Sequence, residues 1–340
     1  MFPYDRRLAK EEAAVALLIH PSCSPAGSLL DTLRCASERF GFTLEIVESA
    51  TNGAEVERVV RHGILLADAT FYREILDSCP EHLRSLDTLS IAFEYPATTP
   101  PSNSRTFIDV DKERFSGRLN FIRPNTFDGA RYRVSPQKIV DNAICDTIRV
   151  KYTPVCNGRS VTKLPDFEAA VAFFRYASAV YAENSMYHRA SSDGYFAFRS
   201  DEGFFVTATK TCKINLDDQR ISYVHTFDEM SSRLVYSGSF LPSSDSVECW
   251  IALHRLPNVQ AMVHTHASEL FTRNPSYRRY VKVPELPYGE ADLGHRLGDA
   301  LAVDPHGFVI MEDHGEVFAM AEPYSFHRKV QDLMSGAHSA

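Results

Sequence analysis

Gln260-Ala-Met-Val-His264-Thr-His266-Ala267 is an apolar run that follows the turn signal Pro257-Asn258 and closes on two histidines one residue apart. Its composition and the turn before it predict a buried strand. Side chains at i and i+2 leave the same face of a strand, so His264 and His266 are directed into one space. Further along, Gly307-Phe-Val-Ile-Met-Glu-Asp-His314-Gly315 is a second hydrophobic strand, and its end carries a histidine before a glycine. A neighbouring strand of that kind adds a third imidazole. Three neutral imidazoles with an open fourth position suit a catalytic Zn2+, and other divalent metals share these donors. A lone histidine more commonly packs or hydrogen-bonds; the combination is what points to a metal.

The sequence before this strand has a consistent rhythm. Asp166 is the predicted cap of a helix whose apolar positions Phe167, Val171, Phe174 and Ala177 recur at helical spacing. Ser191-Ser-Asp-Gly194 ends that segment. Residues 195–199 and 203–207 predict a hairpin around Asp201-Glu202-Gly203, with further strands at 221–224 and 234–238. Pro242-Ser243-Ser244-Asp245 and a helix over 246–254 then lead to the histidine strand. Short strands joined by hairpins predict a mainly antiparallel sheet with helices on its faces.

The first half of the chain has a different rhythm. Buried strands are predicted up to His20 and at 42–47, 64–70 and 88–93, with helices at 29–40, 54–62 and 71–86 between them. Such alternation gives a doubly wound parallel sheet of Rossmann or flavodoxin type, with ligands beyond the carboxyl ends of the strands. The candidates there are His20, Ser22, Ser24, Asp68 and Glu94. Neither a G-x-G-x-x-G after the first strand nor a Walker A loop is present, which leaves dinucleotide and P-loop readings without support. Residues 96–104 are a Pro, Thr and Ser-rich linker. A helix followed by a strand is read at 139–150, and Asn157-Gly158 is a turn. The reading is therefore two α/β domains, residues 1–155 and residues 160–340.

Composition bounds the function. The 340 residues are 44% hydrophobic and 24% charged, the profile of a soluble globular protein, and the net charge of −8 excludes nucleic acid as the default partner. No apolar run approaches a membrane span, and the N-terminus lacks the apolar core of a signal peptide, so a cytoplasmic location without membrane attachment is expected. The seven cysteines are scattered without a C-x-x-C pair, which reads as reduced thiols rather than a disulfide framework or thiolate metal site.

The succession of a helix, Gly194 with a following strand, Phe205-Val-Thr207-Ala-Thr209, Lys213, Pro242-Ser243-Ser244-Asp245, Val263-His264-Thr-His266 and Asp313-His314-Gly315 resembles the class II aldolase and adducin family. The resemblance covers about residues 165–333. It implies an α/β/α sandwich around a mostly antiparallel sheet, often a homotetramer with sites between subunits. It also implies Zn2+ held by His264, His266 and His314, and cleavage or epimerisation of sugar phosphates in carbohydrate metabolism. Asp245 occupies the place of the residue that moves the proton in the aldolases; in the epimerase branch an Asp there lies close to, or on, the metal, so shuttle and ligand both stay open. A helix-capping role is the structural alternative. The family's phosphate site uses a Gly-Asn pair, a Ser/Thr-Gly pair and two serines. Here these are Gly194-Tyr195, Thr209-Lys210 and the intact Ser243-Ser244, so Gly194, Thr209, Lys210, Ser243 and Ser244 are the candidate substrate-binding residues for an anionic small molecule. The family's tyrosine acid has only a positional counterpart in Tyr288. Adducin-type modules lose the metal histidines, whereas all three are present here. In the first half, Leu-Leu-Ala-Asp68-Ala-Thr70 resembles a strand end of nucleoside 2-deoxyribosyltransferase and TIR-like domains, which implies a nucleotide-like ligand; a scaffolding domain is the alternative.

Overall fold

The computed structural model describes residues 14–19, 27–40, 43–48, 62–68, 86, 88–96, 98, 118–122, 124, 126–147, 150–187, 191–267, 280–312 and 314–335. The chain divides into two compact units, residues 1–149 and 150–340.

The first unit contains β1 (Ala14–Ile19), α1 (Gly27–Phe40), β2 (Thr43–Glu48), β3 (His62–Asp68), β4 (Thr88–Pro96), β5 (Arg118–Ile122), β6 (Thr126–Phe127), β7 (Arg131–Arg133) and α2 (Pro136–Thr147). β2, β1, β3 and β4 lie side by side, with β5 along the first part of β4. All of these pairs are parallel. Parallel strands covered on their faces carry continuous apolar runs; accordingly Val15 to Leu18 and Ile64 to Leu65 are buried almost completely. α1 packs on α2, and α2 lies against β1, β3, β4 and β5. The helices read at 54–62 and 71–86 lie outside the described residues, except that His62 opens β3 and Leu86 is buried. In the antiparallel hairpin β6–β7, β7 pairs with Tyr95 and Pro96, the last two residues of β4.

Asp68 and Glu94 are register partners at the carboxyl ends of β3 and β4. Arg131 from β7 bonds to Asp68 and stands 3.5 Å from Glu94, and Arg133 lies 3.8 Å from Glu94 and 3.1 Å from Asp128. Both ligand candidates are thus engaged by arginines of the hairpin. His20, Ser22 and Ser24 lie outside the described residues.

The second unit contains β8 (Thr153–Cys156), α3 (Phe167–Glu183), β9 (Tyr195–Ser200), β10 (Gly203–Thr207), β11 (Ile221–Asp228), β12 (Arg233–Ser237), α4 (Ser246–Arg255), β13 (Ala261–Thr265), β14 (Lys282–Val283), α5 (Ala291–Val303), β15 (Phe308–Met311), β16 (Gly315–Met320) and α6 (Phe326–Ser335). One nine-stranded sheet runs in the order β14-β15-β16-β13-β9-β10-β11-β12-β8. Only the outer pairs β14–β15 and β12–β8 are parallel. The period-two alternation of the strands divides the core. Ala261 and Val263 pack with Phe173, Phe174 and Phe326 of α3 and α6, while Met262 packs with Val247, Ile251, Leu293 and Leu297 of α4 and α5. The result is an α/β/α sandwich.

Asp166 does not cap α3. Its backbone is left-handed (φ 62°), it makes no cap hydrogen bond, and its carboxylate instead accepts the Ser200 hydroxyl at 2.9 Å. Among the described residues, no helix is long and apolar enough to cross a membrane.

Candidate metal centre

β13 is an inner strand, hydrogen-bonded to β9 on one side and β16 on the other. Its pleat sends His264 to the α4 face, and His266 follows two residues later just past the strand end. The two Nε2 atoms stand 3.0 Å apart. His314 comes from the turn that joins β15 to β16, and its ring lies 4.8 Å from that of His264 and 5.3 Å from that of His266. One ligand atom from each of the three falls within 4.8 Å of the others, and among the described residues this is the only such group of His, Cys, Asp or Glu. β15 is not the neighbour of β13, as the sequence suggested; β16, which begins at Gly315, is.

Two glycines let these elements close up. A Cβ on Gly315 would lie 2.1 Å from the Thr265 carbonyl oxygen and about as close to the His264 and His266 rings as a contact permits. A Cβ on Gly194 (φ 73°) would lie 2.0 Å from the His264 carbonyl oxygen. Gly194 therefore serves the packing of the loop before β9 against β13.

The protonation pattern suits a metal. His264 is fully buried, and its Nδ1–H donates to the Glu316 carbonyl at 2.9 Å, which leaves the Nε2 lone pair directed at the other imidazoles. Burial pushes the His264 pKa below its ordinary value, against the raising effect of the Asp245 charge and the Glu316 hydrogen bond. A neutral imidazole is what a cation requires. Asp193 Oδ2 stands 3.7 Å from His266 Nδ1, on the side away from His264 Nε2. Lys213 is buried, with its ammonium on the Ser192 and Thr211 carbonyls at 2.8 and 3.3 Å.

Asp245 is 6% exposed and precedes α4, yet makes no cap bond with that helix. Its two carboxylate oxygens accept the Ser244 hydroxyl at 3.0 Å and the Ser243 hydroxyl at 3.4 Å. The serine hydroxyls thus hold the acid. Glu248, one turn on, is fully buried; it accepts Gly289 N–H at 3.1 Å, and burial together with the nearby Asp245 charge pushes its pKa well up. The segment of Gly289 also carries Tyr288, whose ring lies 6.3 Å from that of His314 and under the Lys151 ammonium at 4.2 Å.

The loop of Thr209 and Lys210 runs beside the serines. Thr209 N–H donates to Leu241 O at 2.9 Å, and Ala208 bridges Pro242. Thr209 Oγ1 is buried without a partner among the described residues. Lys210 is exposed with a left-handed backbone, φ 58°. Sequence reasoning missed Asp193, Glu248 and Glu316. For Asp193 the signal was its place directly before Gly194; Glu248 and Glu316 look like ordinary surface acids until the sheet is assembled.

No protein-family model matches this sequence, and no curated protein matches it. Solved structures do. YgbL from Escherichia coli is 20% identical over 51% of this chain and 87% of its own, with a TM-score of 0.40. A sugar-phosphate aldolase from Thermotoga maritima is 17% identical over 49% and 92%, with a TM-score of 0.41. An L-fuculose-1-phosphate aldolase from Thermus thermophilus is 15% identical over 50% and 93%, with a TM-score of 0.37. About half of this chain is similar to class II aldolase superfamily structures.

Proposed function

We propose that the protein is a zinc-dependent lyase of the class II aldolase type that cleaves a carbon–carbon bond in a phosphorylated sugar or related hydroxy-carbonyl compound. The observation that carries this reading is the convergence of His264, His266 and His314 beside a buried carboxylate, Asp245. The three imidazoles would hold the cation. When bound, a divalent metal supplies Lewis-acid polarisation of a substrate carbonyl. The protein's own part is to move the proton and hold the substrate. Asp245 is a carboxylate with both oxygens directed by serine hydroxyls, an arrangement that aims a general base. We assign the anionic group of the substrate to the loop of Thr209 and Lys210, which runs beside Ser243 and Ser244 and brings an exposed lysine there.

Asp245 favours a second reading at the same site, an epimerase or decarboxylase. The retained histidines count against a non-catalytic adducin-like module. We assign the first unit, residues 1–149, a nucleotide-like ligand or a scaffolding role and the whole chain a cytoplasmic homo-oligomer, a tetramer by family resemblance.

Metal analysis of protein purified without chelator, followed by a screen of ketose phosphates for aldehyde release, tests the reading. One zinc per chain and release from at least one ketose phosphate are expected; protein with no stoichiometric metal would falsify it. Asp245→Asn then separates the roles of the acid. As a shuttle, the variant loses turnover by roughly 100-fold or more with metal content intact. As a metal ligand, it loses metal and turnover together.

A further inference from the structure

Glu316 is fully buried, and it reaches the surroundings of both strand histidines from two directions. It is the register partner of Thr265 across the antiparallel pair β13–β16. Its backbone carbonyl accepts His264 Nδ1–H at 2.9 Å. Its side chain leaves the other face of the sheet, where a single carboxylate oxygen accepts the Thr265 hydroxyl at 3.0 Å and Ala267 N–H at 2.9 Å. Thr265 and Ala267 are the residues on either side of His266.

β13 ends at Thr265, so His266 lies just beyond the strand, where its N–H donates to the Met186 carbonyl at 3.4 Å. The two bonds from Glu316 to Thr265 and Ala267 therefore bracket His266 and set the direction of its backbone. We propose that Glu316 is the positioning residue of the metal centre, fixing the tautomer of His264 through its carbonyl and the backbone direction of His266 through its carboxylate. The surroundings argue for that purpose. The carboxylate shares its face with Ala261, Val263 and Ala267 of the apolar core under α3 and α6, where an ionisable side chain is costly to bury and an aliphatic one would pack without that cost. Substituting the side chain leaves the carbonyl in place, so the staple on His266 can be tested by itself.

The inference rests on the metal reading above, and the test keeps the two apart. The full-length protein is stripped of metal, and its Zn2+ affinity is measured by competition with a chromogenic chelator, alongside the visible absorption of its Co2+ form. Failure of the unaltered protein to bind either ion overturns the metal reading and the inference with it. If it binds, Glu316→Leu, shown to be folded by circular dichroism, is expected to lose about 10- to 100-fold in affinity and to change the Co2+ band pattern. Glu316→Gln, whose amide oxygen can accept both hydrogen bonds, restores affinity to within about threefold if the staple acts by hydrogen bonding. A folded Glu316→Leu with unchanged affinity and spectrum overturns the inference while the metal reading stands. Should that variant not fold, Thr265→Val, which removes one of the two donors at constant shape, carries the test: a several-fold loss supports the staple and no loss overturns it.

Discussion

Lys210 is held in the left-handed region at φ 58°, which costs a lysine roughly 1–2 kcal/mol relative to glycine. Strain of this kind persists where the surroundings or a function demand it. Lys210→Gly removes both the strain and the ammonium, so the variant should melt no lower than the parent while KM for an anionic substrate rises about tenfold or more. An unchanged KM would leave the lysine a solvated loop residue. Glu248 makes a prediction about pH. Burial raises its folded pKa above the ordinary 4.5, so the folded protein holds this proton to higher pH than the unfolded chain does. Stability contributed by the protonated acid is present below about pH 4.5 and is lost as pH rises towards the folded value. Glu248→Gln keeps an acceptor for Gly289 N–H without the charge. The metal-free variant should therefore gain on the parent in melting temperature between pH 4 and pH 8, with the gap closing at the acid end; a constant gap across that range would show a carboxyl that titrates normally.

The strands and helices of the second unit were legible because their periods were clean. Residues 195–199 and 203–207 did form a hairpin, and the helix read at 246–254 is α4, Ser246–Arg255. Period and turn chemistry carry that much. They did not carry the partnering of elements distant in sequence, so His314 was assigned to the end of a strand beside β13, when it belongs to the turn leading into β16. Asp166 misled for a related reason: a capping residue is recognised by type, and only the assembled fold shows its carboxylate drawn to Ser200 instead. In the first unit β5 and the β6–β7 hairpin went unread, since they are short and have little apolar patterning of their own. Glu248 and Glu316 were invisible because a buried acid differs from a surface acid only in what surrounds it. At this scale the strongest prediction concerns the β15–β16 turn. Gly315→Ala forces a Cβ against the Thr265 carbonyl at 2.1 Å, so the strands must part. A destabilisation of about 3 kcal/mol is expected, with weakened metal binding even in the folded fraction. A variant with parental melting temperature and metal content would mean the turn relaxes freely.

At the scale of the molecule, every residue placed at the candidate centre lies in the unit 150–340, and both apolar clusters of that unit are built from its own residues. A fragment beginning at Val150 should fold and bind one metal per chain. A fragment beginning at Ser160 loses Tyr152 from the core and the whole of β8, which exposes the edge of β12, and should be less stable or aggregate. Circular dichroism and metal analysis of both fragments distinguish the two; equal behaviour would make β8 dispensable. The three imidazoles also differ in what carries them. His264 is fixed in the middle of a sheet, His266 stands at a strand end, and His314 rides on a turn. Exchange of the ion should therefore be stepwise, with the turn letting go first and the inner strand last. The speed at which this protein surrenders its ion to a competing chelator would then be governed by the lifetime of one short bend rather than by the strength of three bonds taken together.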